Sequence, residues 1–233
     1  MTLSPQHGLD AKFYWHSANW SPYVEGVDLS LTRNVADLSL LGHDSVVRVP
    51  GVRDQKITLS GTAWERLTSD ANAWARFADS GGRPFAYLPG GDAVGRVAYC
   101  GIAMPDNPSI SAGDDVVRIP CGIVSMAEID RGKVLHALVS TGVSPGSSVD
   151  GVNETLTGGA AYLLCTASGG GNLVVTVEDS ANNTDWAPLV TMTTLSAVGS
   201  ELKAVAGMVR RYLRVSWTLS SGSATWFLAF ARR

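Results

Sequence analysis

Four histidines and three cysteines are the side chains in this sequence best suited to metal or nucleophilic chemistry, and their spacing supports neither. No histidine has a second metal ligand four residues away, and no Cys-x-x-Cys pair is present. The sequence also lacks a glycine-rich phosphate-binding loop ending in Lys. We therefore expect no catalytic residues, no cofactor and no metal site, and a protein that is not an enzyme. The histidines are His7, His16, His43 and His136.

The three cysteines, Cys100, Cys121 and Cys165, are odd in number and far apart in sequence. This pattern argues against a disulfide framework and is typical of a protein that folds in a reducing compartment. We expect them to be buried as small apolar side chains.

Two polar or aromatic segments allow more than one interpretation. The segment "EDSANNTDW" (178–186) offers oxygen ligands for calcium, although a polar hairpin tip explains it better. The segment "FYWHSANWSPY" (13–23) would form a sugar-binding platform if its rings were exposed. Its alternation instead predicts that some of these rings lie in the core.

The composition predicts a protein with a packed apolar core and without a strongly charged surface. Of the 233 residues 45% are apolar and 17% are charged, and the net charge is −3. Such a chain has no basic surface for holding nucleic acid phosphates. It contains no apolar run of membrane-spanning length and no apolar segment of a secretory signal near residue 1.

Alternation with a period of two dominates the chain and predicts a mainly antiparallel β protein. Ile57 and Leu59 share one face in "KITLSG", and the segments "LRVSWTL" (213–219) and "TWFLAF" (225–230) alternate in the same way. Glycine-rich segments such as "PGGD" (89–92) and "SGGGN" (168–172) separate the strands and are typical of hairpin turns.

One segment has helical spacing instead. In "TSDANAWARFADSGG", Thr68 or Ser69 is a candidate N-cap, and the closing glycines suit a C-cap. Apolar residues recur there every three or four positions. We expect one short helix over 69–80, with Trp74 and Phe77 packed against a sheet.

The sequence predicts two domains. Gly, Ser and Pro concentrate in "STGVSPGSSVDG" (140–151). Basic and acidic residues balance from Asp150 onward, so the part before it carries the net charge of −3. We expect a first domain over 1–143, a linker over 144–151 and a smaller C-terminal β-sandwich over 152–233.

Much of the chain resembles the tail tube (major tail) proteins of long-tailed, siphovirus-like bacteriophages. The resemblance is carried by "VEGVDLSLTRNVADLSL" followed by "VRVPGVRDQKITLSGTAW", with the Pro50-Gly51-Val52 motif inside the second segment. The hairpin "RPFAYLPGGDAVGRVAYCGI" and the sequence "AEIDRGKVLHAL" continue it. The stretch from "GGAAYLLCTASGGGN" to "RRYLRVSWTLSSGSATWFLAFARR" resembles a β-sandwich found at the end of phage tail proteins.

This resemblance implies a tail-tube-like two-sheet β-sandwich with one flanking helix, followed by a C-terminal decoration sandwich. It implies a virion structural protein whose subunits form hexameric rings that stack into a tube. DNA would pass through the lumen without specific binding. The other partners would be the tape measure, tail terminator and tail tip proteins, with assembly in the host cytoplasm.

Within this scheme the segment 41–55 would be a loop that reaches a neighbouring subunit or ring. Its polar and apolar residues are the candidates for that interface. They are His43, Asp44, Val46, Val47, Arg48, Val49, Arg53 and Asp54.

Three other roles remain open at this point. The chain would form a ring at the tail tip or as a minor tail protein. Alternatively its C-terminal domain would bind carbohydrate on a cell surface through exposed Trp186 or Trp226, of which Trp226 alternates with core residues. A cell-wall hydrolase is the third role, and it lacks a catalytic set.

Overall fold

The computed structural model describes residues 10–38, 47–60, 81–106, 111–112, 117–118 and 121–233. The predicted helix over 69–80, with Trp74 and Phe77, lies outside these residues. Within the described ranges the chain forms β-strands and one short 3₁₀ turn at Ser21–Tyr23, which confirms the mainly β prediction. None of the helical structure in those ranges is long and apolar enough to cross a membrane.

Ten strands lie in the first 140 residues. They are β1 (Lys12–Trp15), β2 (Ala18–Asn19), β3 (Gly26–Leu38), β4 (Val47–Ser60), β5 (Arg83–Leu88), β6 (Val97–Asp106), β7 (Ser111–Ala112), β8 (Val117–Arg118), β9 (Cys121–Ser125) and β10 (Asp130–Ser140).

Eight strands follow. They are β11 (Val143–Pro145), β12 (Val149–Asp150), β13 (Gly159–Ser168), β14 (Leu173–Ser180), β15 (Ala187–Thr191), β16 (Gly199–Val205), β17 (Tyr212–Leu219) and β18 (Ala224–Arg232).

The strands form two main antiparallel sheets, which confirms the predicted sandwich. Eleven strands belong to the first sheet, whose main path runs β16-β13-β18-β10-β6-β5-β1-β2. Five strands belong to the second, in which β17 lies between β14 and the short β11 and β12, and β15 pairs with β14. The strands β7 and β8 form a separate two-stranded ribbon.

The first sheet branches at β6. One edge of this strand pairs with β10 over 97–100 and with β9 over 103–106. β9 and β10 therefore act as one strand interrupted at 126–129. Each half continues into a different set of partners, because β10 pairs next with β18 and β9 pairs next with β4.

Two strands at the centre of the first sheet are buried on both faces. In β13, Ala160, Tyr162 and Leu164 pack on one side, while Leu163 and Cys165 pack on the other. A continuous apolar run rather than an alternating one is what such a strand requires. The neighbouring β18 follows the same rule over Trp226–Ala231, which confirms the prediction that Trp226 is a core residue.

The two faces of these strands contribute to two separate cores. One core fills the space between the two sheets and contains Leu163, Trp226, Val175 and Val215. The other lies on the opposite face and joins Tyr162 and Phe227 to Ala86 and Cys100. β5 contacts β13 and β16, although other strands of the sheet lie between β5 and both of them. The first sheet therefore curls over this second core.

A third core lies at the other end of the first sheet and uses the aromatic segment near residue 13. Phe13, Trp15 and Trp20 pack there with Ile57 and Ile123. The neighbouring Tyr14 points to the opposite face and stacks on Phe227 with ring centroids 5.2 Å apart. The rings of Phe13, Tyr14, Trp15 and Trp20 therefore belong to the interior, and these four do not form a sugar-binding platform.

The sheet and its cores run across the predicted domain boundary. β10 precedes the boundary and pairs with β18 from Lys133 to Ser140. The segment predicted as a linker includes β12 and the end of β11, and both strands pair with β17. The division into domains at 144–151 stays a prediction, and the two parts share hydrogen bonds and apolar cores.

The "SGGGN" segment is not a hairpin turn. It leads from β13 in the first sheet to β14 in the second, so it connects the two layers of the sandwich. The Gly169 N–H donates to the Ser223 carbonyl, and Gly171 has a φ of +82° beside Ser221. A side chain at position 171 would collide with that backbone. The glycines therefore allow this crossing to lie against the return crossing at 220–223.

A buried carboxylate ties the C-terminal residue to the centre of the first sheet. Asp130 is 9% exposed, and it accepts hydrogen bonds from the Tyr162 hydroxyl at 2.6 Å and the Arg233 guanidinium at 2.8 Å. Burial and the hydrogen bond to Asp130 raise the pKa of Tyr162. A buried charge needs such partners to offset its lost hydration.

His136 lies in an aromatic cluster at one end of the inter-sheet core. Its ring stacks on Trp226 at 3.8 Å, and Trp217 lies 4.8 Å away. The Ser140 hydroxyl is 2.9 Å from His136 Nε2. Burial lowers the pKa of His136 to about 4 from 6.5, although the Leu138 carbonyl acts in the opposite direction.

Truncating a leucine of the inter-sheet core should destabilise the protein far more than the same change at the surface. Leu163 is fully buried, whereas Leu138 is 66% exposed. We expect Leu163→Ala to lower the free energy of unfolding by about 2–5 kcal/mol, because it leaves a cavity. Leu138→Ala should change it by less than about 0.5 kcal/mol in urea unfolding. Equal losses in the two variants would contradict this core assignment.

Lowering the pH should lower the free energy of unfolding because of His136. Its folded pKa is below the unfolded value, so the unfolded chain takes up a proton that the folded protein excludes between pH 6.5 and about 4. Between about pH 7 and about pH 4.5 this contributes a loss of about 2 kcal/mol in the free energy of unfolding. The His136→Phe variant keeps an aromatic ring and should show a loss smaller by this amount. An identical pH dependence in both proteins would contradict the effect.

Candidate subunit interface

The longest strand pair of the molecule is the hairpin β3–β4. Its register runs from Gly26 opposite Ser60 at the base to Leu38 opposite Val47 at the far end. We call 26–32 with 54–60 the basal half of the hairpin and 33–38 with 47–53 its distal half.

The basal half is anchored in the third core. Ile57 is fully buried, Leu59 is 4% exposed and Thr58 faces solvent, which confirms the predicted alternation. The Gln55 side-chain carbonyl accepts a hydrogen bond from the backbone N–H of Ile129. Lys56 also forms an ion pair with Asp106 at 2.9 Å. These contacts fix the direction in which the hairpin leaves the sheet.

The distal half has fewer backbone partners. β9 pairs with β4 only from Lys56 to Leu59, and β3 pairs only with β4 among the residues that the structure describes. Within those same ranges the distal half is therefore a two-stranded ribbon with two open edges. An isolated ribbon of this kind has little stability of its own, and its open edges can pair with another strand.

The Pro50-Gly51-Val52 motif forms a bulge in the distal half. Arg33 pairs with Arg53 and Val35 pairs with Pro50, so two residues of β4 lie opposite Asn34 alone. Proline has no N–H to donate to a ladder and occurs in sheets mainly at edges and bulges. The motif therefore bends β4 without ending it.

The predicted loop over 41–55 is wrong for residues 47–55, which belong to β4. The prediction treated Pro-Gly as a turn, whereas the bulge accommodates it within the strand. Of the candidate interface residues, Val47, Arg48, Val49 and Arg53 lie in the distal half, and Asp54 lies where the basal half begins. The structure thus places these five on one strand. His43, Asp44 and Val46 lie outside the described residues.

Exposed apolar side chains also cluster near 138–143, where the sequence patterns predicted no site. Leu138, Val139 and Val143 are 66%, 64% and 72% exposed around the turn from β10 to β11. Their only sequence signal is the adjacent Leu-Val pair at the end of an alternating strand. Scattered surface leucines and valines are common, and successive residues such as Leu138 and Val139 leave opposite faces of a strand, so these three define no site.

The two tryptophans considered for carbohydrate stacking are both covered. Trp226 is 1% exposed and packs against His136. Trp186 is half-buried, and the Arg214 guanidinium lies 4.3 Å above its ring. A sugar ring stacks on an open aromatic face, and Arg214 occupies one face of Trp186. The burial of Trp226 agrees with its alternation with core residues in the sequence.

The segment 178–186 is a hairpin tip, as the polar pattern predicted. It joins β14 to β15, and the Asn182 side-chain carbonyl accepts hydrogen bonds from the backbone of Thr184 and Asp185. Asp179 is buried and accepts a hydrogen bond from the Arg210 backbone at 2.9 Å. Among the described residues, no group of three His, Cys, Asp or Glu side chains is arranged to hold a metal ion.

The arginine cluster at 210–214 is paired with acidic side chains. Arg214 contacts Glu178 at 2.6 Å, and Arg211 contacts Asp150 through two hydrogen bonds of 2.7 and 2.8 Å. The Arg211 guanidinium holds the pKa of Asp150 well below its usual range.

Comparison with known proteins yields only distant likenesses. No protein-family model matches the chain, and no curated protein matches it in sequence. The crystal structure of the SPP1 Dit protein, described as a hub of the adsorption apparatus in phages that infect Gram-positive bacteria, is 9% identical with a TM-score of 0.36. The alignment covers 95% of this chain and 99% of that one.

A second solved structure, of infectious bursal disease virus strain Gx, is 12% identical with a TM-score of 0.23. The alignment covers 94% of this chain and 55% of that chain. At these TM-scores neither likeness carries a conclusion for this protein.

Proposed function

We propose that this chain is a structural protein of a bacteriophage virion that assembles into rings, and that its position is the tail tube. The distal half of the β3–β4 hairpin carries this proposal, because its two edges have no partner strand among the described residues and can pair with strands of another molecule. The same two strands hold the segments that resemble tail tube proteins, so the geometry and the resemblance concern the same residues.

Ring closure would satisfy the open edges by pairing strands between subunits. The distal halves of neighbouring hairpins would join into one continuous sheet around a lumen, which leaves no free edge. Several identical subunits, six by the resemblance, would each donate one edge and accept another in a heterologous contact. Valines at 47 and 49 on β4 would contribute apolar area to this contact.

The charge of the chain supports a conduit for DNA rather than a DNA-binding surface. A net charge of −3 per subunit gives a ring that does not attract phosphates as a whole. DNA would then pass through the lumen without being retained. The partners would be further copies of this chain and the tape measure, terminator and tip proteins, and no catalytic role or cofactor is proposed.

A charge placed in the distal half should prevent assembly. We expect the Val47→Asp/Val49→Asp variant to raise the protein concentration needed for ring formation at least about tenfold, because each carboxylate would be buried without a partner. Negative-stain electron microscopy at rising concentration measures this, first with the purified protein and then with the tail initiator complex added. Circular dichroism should show an unchanged strand content.

The matched control is Val143→Asp, which places the same charge on a 72% exposed valine outside the hairpin and should leave assembly unchanged. Stacked rings with an axial hole would support the tube, whereas single rings would indicate a tail tip position. Assembly of the double variant at the same protein concentration as the wild type, or wild-type monomers that remain monomeric with the initiator complex, would contradict the proposal. Retention of such monomers on glycans would favour a carbohydrate-binding module.

A further inference from the structure

A small cavity opens at the end of the sandwich where β10 begins, and its chemistry is unlike that of the rest of the chain. It has a volume of about 150 Å³. Three cationic side chains, Arg131, Lys133 and Arg232, line it together with apolar residues such as Leu213 and Phe230. None of its lining residues is acidic, although the chain as a whole carries a net negative charge.

The two cations on β10 have hydrogen-bond donors to spare. Within the part of the chain that the structure describes, the exposed Arg131 side chain makes neither a hydrogen bond nor an ion pair. Lys133 Nζ donates to the Asp150 backbone carbonyl at 2.7 Å, which uses one of its three donors. They alternate on the strand with Gly132 between them, so both side chains leave the same face.

Arg232 supplies a fixed positive charge behind them. Its guanidinium donates to the backbone carbonyls of Val209, Arg210 and Arg211 at 2.9, 2.5 and 2.8 Å, which hold it in place. Asp150 and Asp179 attract it electrostatically, and neither forms a salt bridge with it among the described residues. Burial lowers the pKa of Arg232. A Cβ at Gly151 would lie 2.7 Å from this guanidinium, so the glycine leaves the space that Arg232 occupies.

We propose that this cavity binds a small organic carboxylate. Arg131 would hold the carboxylate through two parallel hydrogen bonds, and Lys133 would donate a further one. Arg232 would add attraction without direct contact. The apolar part of the ligand would lie against the aliphatic stems of these side chains and the edges of Leu213 and Phe230.

The size and walls of the cavity favour an organic anion over inorganic phosphate. A cavity of about 150 Å³ lined by apolar residues accommodates benzene in another protein. Inorganic phosphate would leave the apolar wall without a partner, whereas a benzoate-sized ligand uses both the charges and the wall. This binding site would exist in the single subunit, whether or not the chain forms rings.

Benzoate is the probe for the full-length protein, with binding followed by isothermal titration calorimetry and by NMR shifts of the 131–133 amides. We expect saturable binding in roughly the millimolar range, which is typical of so small a ligand. Arg131→Gln should weaken it about fivefold or more, and Lys133→Gln should also weaken it. Arg131 has no partner to lose within the described residues, so the first variant should fold normally.

The matched control is Lys12→Gln, which removes a cation on β1 that does not line the cavity and should leave benzoate binding unchanged. Benzamide has the same ring without the charge and should bind far more weakly than benzoate. The proposal is overturned if benzoate does not saturate, if benzamide binds equally well, or if Arg131→Gln and Lys133→Gln both bind benzoate like the wild type. Equal or tighter binding of inorganic phosphate would overturn the organic ligand class.

Discussion

The pairing of β10 with β18 is the interaction on which the rest of the structure depends. β10 has β6 on one edge and needs a second strand on the other, and the chain supplies it from its far end. β18 in turn pairs with β13, so two continuous apolar strands come to lie at the centre of the sheet. Each large side chain buried on either face contributes about 1.5–3 kcal/mol. Both neighbouring cores depend on this arrangement.

The same pairing determines where the β3–β4 hairpin lies. Because β10 turns towards β18, β9 is the strand that pairs with the second edge of β4 among the described residues. β9 has five residues and β4 has fourteen, so β9 cannot cover the whole edge of β4. The distal half of the hairpin extends past it. An edge without a partner among the described residues is available for pairing with another subunit, which is the contact that the proposed ring requires.

The order of apolar and polar residues along the sequence predicted which side chains of the strands are buried. Ile57 and Leu59 alternate with polar neighbours and are buried as expected, and Trp226 lies in the core with Leu228 and Phe230. Cys100 and Cys165 are buried thiols, also as expected. These residues were predictable because a strand with one or two buried faces leaves a direct trace in the order of apolar side chains.

The order of apolar side chains did not show which strands pair with each other. Pro50-Gly51 has the composition of a turn, and only the strand opposite shows that it is a bulge. The "SGGGN" segment has the composition of a hairpin, and only the sheet assignment of β14 shows that it connects two layers. The cation-lined cavity also escaped prediction, since it joins β10 to Arg232, about a hundred residues later.

Hydrogen–deuterium exchange of the backbone amides tests the central claim most directly. The account predicts that in the monomer the distal half of the hairpin exchanges orders of magnitude faster than β13 and β18, because its edges are open. On assembly, protection should appear in 33–38 and 47–53 and change little in the central strands. Slow exchange of the distal half in the monomer, or no new protection there on assembly, would contradict the account.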